Sequence, residues 1–524
     1  MHSSTYMRPL PLPAFIPHQP GERKTMSEPS RQIPVLTEAD VAVLGGGPAG
    51  VCAAVAAARS GARVVIVERY GYFGGMACAA NVNVWHGLWS PDFNTKVIGG
   101  LPEEILDRLE TLKAVRNRRP DGRGDFTICT ESAKLVFDDV VVGSGAKIIF
   151  HGWLADVIYR DSRTIDAAII ETKSGRGAIR ASVFIDCTGD GDLCARAGAP
   201  TQTGDEDGRC QPPTLCFRIA GVDASKAKAA NVDNWVIQKE LGKQKMDYNG
   251  AEYPCYLWGG RSVYRQDELM LAGTRVIGVN CSKHDDFTRA EVEARYQMRW
   301  VMGKLQKFPG YENISLVDIG AQIGVRETRR IHGDHEIQAN ELLDGRRFED
   351  TIAQGTYPVD VHNPIGRGIK FRRLDGTSSE VTPGGEWIDG RWDGLAADAP
   401  KRTTPCYCIP YRSLIPSTLD NVLVAGRCIS ATHEAAGALR VMINAMSFGH
   451  AAGRAAALAT THAGNVREVD TRQLQSSLRG DGVPLLETQV KAESGLISEL
   501  LTYTLCKMSA FCHSRAFPDT IGQA

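Results

Sequence analysis

An α/β fold built on a parallel sheet is predicted by three features that meet before residue 70 of this 524-residue chain. Val41-Ala42-Val43-Leu44 is a short apolar run, the pattern of a strand buried on both faces. The turn Gly45-Gly46-Gly47-Pro48-Ala49-Gly50 follows at once and opens an Ala-rich helical stretch over residues 51–59. Gly61 stops that helix, and Arg63-Val64-Val65-Ile66-Val67 is a second strand ending at Glu68. Strand, turn, helix and strand make one compact βαβ unit.

A second β-rich stretch begins near Ala146. Residues 147–150, 155–159 and 167–171 read as successive strands, with a turn at Lys173-Ser174-Gly175-Arg176. Val183-Phe184-Ile185-Asp186 returns as a strand and runs into Cys187-Thr188-Gly189-Asp190-Gly191-Asp192. The middle of the chain mixes an amphipathic helix over residues 289–307 with strands and Gly/Asp-rich loops, an α+β composition. Asn421-Val422-Leu423-Val424 is a strand entering the turn Ala425-Gly426-Arg427, and a small-residue helix is expected over residues 437–459. The expected division is a proline-rich, disordered tail (1–32), the βαβ unit with the β-rich stretch (33–210), an α+β middle (211–404), the last strand with the small-residue helix (405–462) and a C-terminal helical extension (463–524). Leu496, Ile497, Leu500 and Leu501 suit a helix that docks on the core or on a second copy, so a homo-oligomer is an open expectation. Met26 is a rival to Met1 as the translational start.

Charge and composition exclude some classes. Sixty Lys and Arg face 61 Asp and Glu, a net −1, so no field advertises nucleic acid. No apolar run approaches the roughly 18 residues a membrane helix needs, and Arg440, Asn444, His450 and Arg454 interrupt the most apolar late helix. Fourteen Cys without regular spacing in a long chain suggest reduced thiols and a cytoplasmic setting, in which the sequon at Asn313 is idle.

The glycine turn carries chemistry. Gly45 permits the tight turn, Gly47 lets backbone approach a diphosphate with no Cβ in the way, and Gly50 permits close packing. The helix beyond it, entered through Pro48 and Ala49, offers unsatisfied N–H groups and a partial positive charge to that diphosphate. Glu68 falls where an acid accepts hydrogen bonds from ribose hydroxyls, and its charge disfavours a 2′-phosphate. The unit alone does not choose between FAD and NAD.

Five further segments in order resemble the FAD-dependent oxidoreductase family, with a glutathione-reductase-like FAD fold. They are Phe73-Gly74-Gly75-Met76, Ile185 to Asp192 as quoted above, Ile323-Gly324-Val325-Arg326-Glu327-Thr328-Arg329-Arg330, Ile409-Pro410-Tyr411-Arg412, and Ala425-Gly426-Arg427-Cys428-Ile429-Ser430 with Gly437-Ala438-Leu439-Arg440-Val441-Met442. The resemblance runs from about residue 40 to about residue 460, and it implies an FAD-binding domain in two parts, 33–210 and 405–462, with a substrate domain, 211–404, inserted between them. It implies FAD as cofactor, with Gly45, Gly47, Pro48, Ala49 and Gly50 at the pyrophosphate, Glu68 and Arg69 at the adenosine ribose, and Gly74, Gly75 and Met76 toward the flavin. It also implies Asp190 near the cofactor, and Gly426 and Arg427 near the ribityl or pyrophosphate. A helix starting near Gly437 is expected to aim its positive end at the flavin N1–C2=O edge.

The expected reaction is hydride transfer between a small organic substrate and flavin N5, by a dehydrogenase or oxidase whose electron acceptor is open. Rival readings are a flavoprotein lyase or isomerase without net redox change, and a non-catalytic flavin-binding partner protein. His362, beside Asp360 on one strand face, is a candidate general base. His433 is a second candidate, and Arg440 and Arg412 are candidates to clamp a carboxylate. His86 is a candidate for contact with the flavin or the substrate, or for a covalent link to the flavin. Arg326, Glu327, Arg329 and Arg330 read as an internal ion-pair network. Cys78 stands alone near the flavin segment, which excludes a dithiol shuttle there. Cys406 and Cys408 are two thiols without a second pair, so no metal is expected.

Overall fold

The structure, a computed structural model, describes residues 25–254, 257–382 and 385–485. Most of the expected tail and the apolar segment Leu496 to Leu501 lie outside the described residues.

Val35–Leu44, the first strand, gains a parallel neighbour on each side. Val64–Glu68 pairs along one edge and the long strand Gly175–Asp186 along the other. Lys147–Phe150 extends the sheet parallel to Val64–Glu68, and Val422–Val424 closes in parallel against Phe184 to Asp186. The other half of Gly175–Asp186 pairs antiparallel with Ile165–Thr172, which pairs in turn with Trp153–Tyr159. Seven strands therefore share one sheet. Full burial of Val41, Val43, Ile66, Ile185 and Leu423 explains the near-continuous apolar runs.

Two helices cover the face behind the glycine turn. Pro48–Arg59 and Met442–Ala459 pack along their lengths. Their approach is too close for side chains at the contact: a Cβ on Gly449 would lie 1.9 Å from the Ala49 carbonyl oxygen, and one on Gly453 2.2 Å from that of Ala53.

Between these halves the chain builds antiparallel structure. One four-stranded sheet runs Trp258–Arg261, Leu269–Ala272, Cys216–Ala220, Ser315–Ile319, and packs with the helix His284–Leu305 around Phe217, Tyr253 and Trp300. A second is the meander Val359–His362, Ile369–Arg372, Thr377–Val381, Trp387–Arg391. Among the described residues no helix is long and apolar enough to cross a membrane.

Several element boundaries differ from expectation. Gly175–Asp186 is one strand rather than a turn followed by a short strand, because both its edges find partners. The amphipathic helix begins earlier, at His284. The small-residue helix expected over 437–459 is two helices, His433–Leu439 and Met442–Ala459, separated where Val441 takes an extended conformation. Gly437 lies against the Asp360 backbone, its notional Cβ 2.3 Å from that carbonyl oxygen, so the shorter helix is fixed in a different direction.

Candidate functional site

A cavity of about 600 Å³ opens at the carboxyl ends of the parallel strands and continues to the antiparallel sheets. Ligands of open α/β sheets bind at that edge, where strand ends and helix starts leave backbone groups exposed.

Its first half is the glycine turn. Gly45 has φ +101, which disfavours an L side chain, and a Cβ there would meet the Cys187 carbonyl oxygen at 2.4 Å. Gly50 is equally constrained, 1.8 Å from the Gly45 carbonyl oxygen. Gly47 differs: its φ is −67, it caps the first helix, and the only neighbour of a notional Cβ is Gly75 Cα at 3.8 Å. The space it leaves belongs to the cavity, which is also lined by Pro48, Ala49, Gly75 and Met76. Gly74 anchors that second segment by donating its N–H to the Gly46 carbonyl at 2.8 Å.

Glu68 lines the cavity and is buried. Its carboxylate accepts from the N–H groups of Gly46 at 2.7 Å and Tyr70 at 2.9 Å. Burial pushes its pKa above the ordinary carboxylate value against those two donors. Arg69, beside it, lies over the rings of Tyr70 and Trp153 and hydrogen-bonds Gln322.

Gly426 and Arg427 reach the cavity from the last parallel strand. Arg427 donates to Asp190 Oδ1 at 2.7 Å and to Thr328 Oγ1 at 3.0 Å. Burial alone would raise the Asp190 pKa, but Arg427 and the Thr328 hydroxyl hold it below the usual range. Asp190 is thus a partner of Arg427 and is not on the cavity wall, whereas Asp192, which bonds Arg329, is. Burial and the charges of Asp190 and Asp186 raise Asp192 to about 6. The helix that points its N-terminus at the cavity starts at Met442, with Val441 and Met442 both in the wall, and not near Gly437.

The second half is polar and buried. Tyr357 donates to Asp360 Oδ2 at 2.9 Å, and Arg440 Nη2 reaches the same oxygen at 2.9 Å. Arg275 Nη2 lies 2.8 Å from His362 Nδ1. A guanidinium only donates, so Nδ1 accepts and the ring proton is on Nε2. Nε2 faces Asp360 Oδ1 at 3.3 Å, a contact that is not a well-aligned hydrogen bond. Burial, and then the charge of Arg326, depress the His362 pKa well below its ordinary value. Burial would raise Asp360, but the guanidiniums of Arg440 and Arg326 outweigh it and hold the carboxylate ionised.

His362 therefore lines the cavity with both ring nitrogens engaged, which leaves it poorly placed as a free general base. His433 is not in the wall: its Nδ1 contacts Glu327 at 2.9 Å, and Glu327 also pairs with Arg330 in a fully buried ion pair. The ion-pair network expected of the 326–330 segment forms, except that Arg326 turns to the cavity, held by the Pro212 carbonyl and Thr214 Oγ1, each at 2.7 Å. Arg412 is paired with Asp350 away from the cavity at 3.1 Å. His86 lines the cavity, its ring 4.0 Å from that of Tyr357 and its Nδ1 3.5 Å from Asp125.

Sequence reasoning missed Arg275, Asp125 and the role of Tyr357. No local pattern marks them, since each follows a strand or loop whose position only the assembled sheets define. Cys406 and Cys408 do share a neighbour, Arg347, whose Nη1 is 3.8 and 3.3 Å from the two sulfurs. The described residues hold no cluster of three or more metal-ligating side chains.

Residues 40–478 match the family described as FAD dependent oxidoreductase, which covers most of the chain. The chain belongs to that family, and FAD is its cofactor. A thiamine thiazole synthase from Aeropyrum pernix is 31% identical over 153 residues, 29% of this chain and 50% of the relative, so the chain spans about half the length of the curated relative it matches. Two solved structures are also similar. A geranylgeranyl bacteriochlorophyll reductase-like protein from Thermoplasma acidophilum has a TM-score of 0.40 at 11% identity, over 87% of this chain and 94% of that one. The Thermovibrio ammonificans THI4 structure has a TM-score of 0.25 at 24% identity, over 33% and 66%.

Proposed function

We propose that this protein is a flavin-dependent dehydrogenase or oxidase whose small organic substrate binds beside Tyr357, Asp360, His362 and Arg440. The observation that carries the reading is continuity: one cavity joins the glycine cradle to this buried polar cluster. The open space at Gly47 suits a diphosphate on the start of Pro48–Arg59, with Pro48, Ala49 and Gly50 beside it. Glu68 would hold the ribose hydroxyls, with Arg69 alongside, and Gly74, Gly75 and Met76 would border the flavin. Asp190 would act by holding Arg427, which with Gly426 borders the ribityl and pyrophosphate. Bound FAD supplies a hydride acceptor at N5.

The protein's own groups orient the substrate and move a proton. The N-terminal end of Met442–Ala459 supplies a fixed positive dipole to negative charge developing beside it. Asp360 is locked by Tyr357 and Arg440, which fixes the Arg440 guanidinium at the cavity wall. His362 holds Arg275 and Asp360 in register rather than carrying the proton itself. His86, with Asp125 behind it and access to the cavity, is better placed for proton transfer. Anaerobic mixing with a panel of small alcohols, amines and acids tests the reading. Bleaching of the flavin absorbance by at least one of them is expected. Turnover with unchanged flavin would move the protein to the lyase or isomerase class.

A further inference from the structure

The cavity wall on the antiparallel side is unevenly charged. Arg275, Arg326 and Arg440 line it together with the carboxylate of Asp360, which Tyr357 and Arg440 already engage. Arg326 is held in place by the Pro212 carbonyl and Thr214 Oγ1, and its charge also acts on Asp360. Arg440 spends Nη2 on Asp360, and its side chain lines the cavity. A low-dielectric wall of positive sign concentrates anions. His362, held neutral, adds no charge of its own.

Beyond the arginines the wall changes character. Trp258 and Phe371 face the same cavity, and Phe371 stacks on Trp387 with ring centroids 6.2 Å apart. Asp360 in the same wall disfavours a dianion, so a single carboxylate suits the site better than a phosphate ester.

Deepening the hydride-transfer reading of this cavity, we propose that its substrate is a monocarboxylic acid with a planar or apolar body. The carboxylate is held by Arg440 with Arg275 and Arg326, and the body lies against Trp258 and Phe371. Arginine suits the task because its planar fork matches a carboxylate in geometry and charge.

Benzoate, benzamide and inorganic phosphate serve as probes of the purified full-length protein, followed by tryptophan fluorescence because Trp258 lines the cavity, and by flavin absorbance in the same sample. Saturable benzoate binding at least roughly tenfold tighter than that of neutral benzamide is expected, as for loss of a charge-assisted contact. Arg440→Gln should weaken benzoate by a similar factor at unchanged FAD content; if that variant does not fold, the comparison of the two probes on the unaltered protein decides alone. Equal affinity for benzoate and benzamide, tighter binding of phosphate, or no saturable response overturns the proposal. A yellow protein that ignores benzoate defeats this inference only, whereas a colourless protein that selects benzoate defeats the flavin reading only.

Discussion

Single residues separate binding from folding in this cavity. Gly47 has an unstrained backbone and open space around its missing side chain, while Gly45 and Gly50 face backbone atoms. Gly47→Val should therefore fold, at a cost of about 1 kcal/mol for the poorer N-cap residue, yet purify without flavin colour. Retained flavin would show that the diphosphate lies elsewhere. His362 makes a pH prediction. Burial lowers its folded pKa, so below the unfolded value near 6.5 the unfolded chain takes up a proton that the folded one refuses. Its contribution to stability is complete above that pH and falls as pH drops, by at most about 1.4 kcal/mol per unit. Unfolding free energies of the parent and His362→Gln should converge between pH 7 and 5; a constant gap would mean that the ring titrates normally. Cys408 is a third case. Hydrogen bonding with Cys406 lowers its pKa most, and Arg347 adds to this against burial, so the pair holds one thiol below its ordinary range. Thiolate ultraviolet absorbance should appear below the ordinary thiol range and be lost when Cys406→Ser and Cys408→Ser are combined.

At the scale of elements, the site depends on how closely two helices approach. Pro48–Arg59 and Met442–Ala459 both start at the cavity, and Gly449 allows their contact at Ala49. Gly449→Ala inserts a methyl where 1.9 Å separates it from a carbonyl oxygen, so the helices must part. Overpacking of this kind costs about 1–3 kcal/mol, and urea unfolding should show it together with weaker FAD retention, because both helix starts move. The polar residues of the second helix have partners: Asn444 donates to the Tyr407 hydroxyl at 2.8 Å, and His450 and Arg454 both meet Asp481. They reveal why that helix is polar in places, but the break at Val441 was hidden because no Gly or Pro marks it and Leu439, Arg440 and Met442 beside it are good helix formers.

At the scale of the molecule, the cavity draws its wall from the start, middle and end of the chain. A cofactor held there binds only the assembled fold, so adding FAD at 100 times its Kd should raise unfolding free energy by about 2.7 kcal/mol. Thermal unfolding in FAD should move the flavin and tryptophan signals together. A flavin signal lost well before the tryptophan signal would show that the parallel sheet alone retains the cofactor.

The local order of strand, glycine turn, helix and acid was legible because those residues answer to their immediate neighbours. Gly45 needs its backbone conformation whatever surrounds it, and Glu68 ends a strand whose neighbour carries the turn. The same holds for the last parallel strand before Gly426 and for Asp360 and His362 on one strand face. Assembly decided the rest. Whether a histidine faces a cavity, an arginine or a buried glutamate depends on elements far away in sequence, so His362 acquired Arg275, His433 acquired Glu327, and His86 acquired Asp125. Side-chain type sets what chemistry a residue can perform, and tertiary packing sets which partners and how much water it meets while performing it.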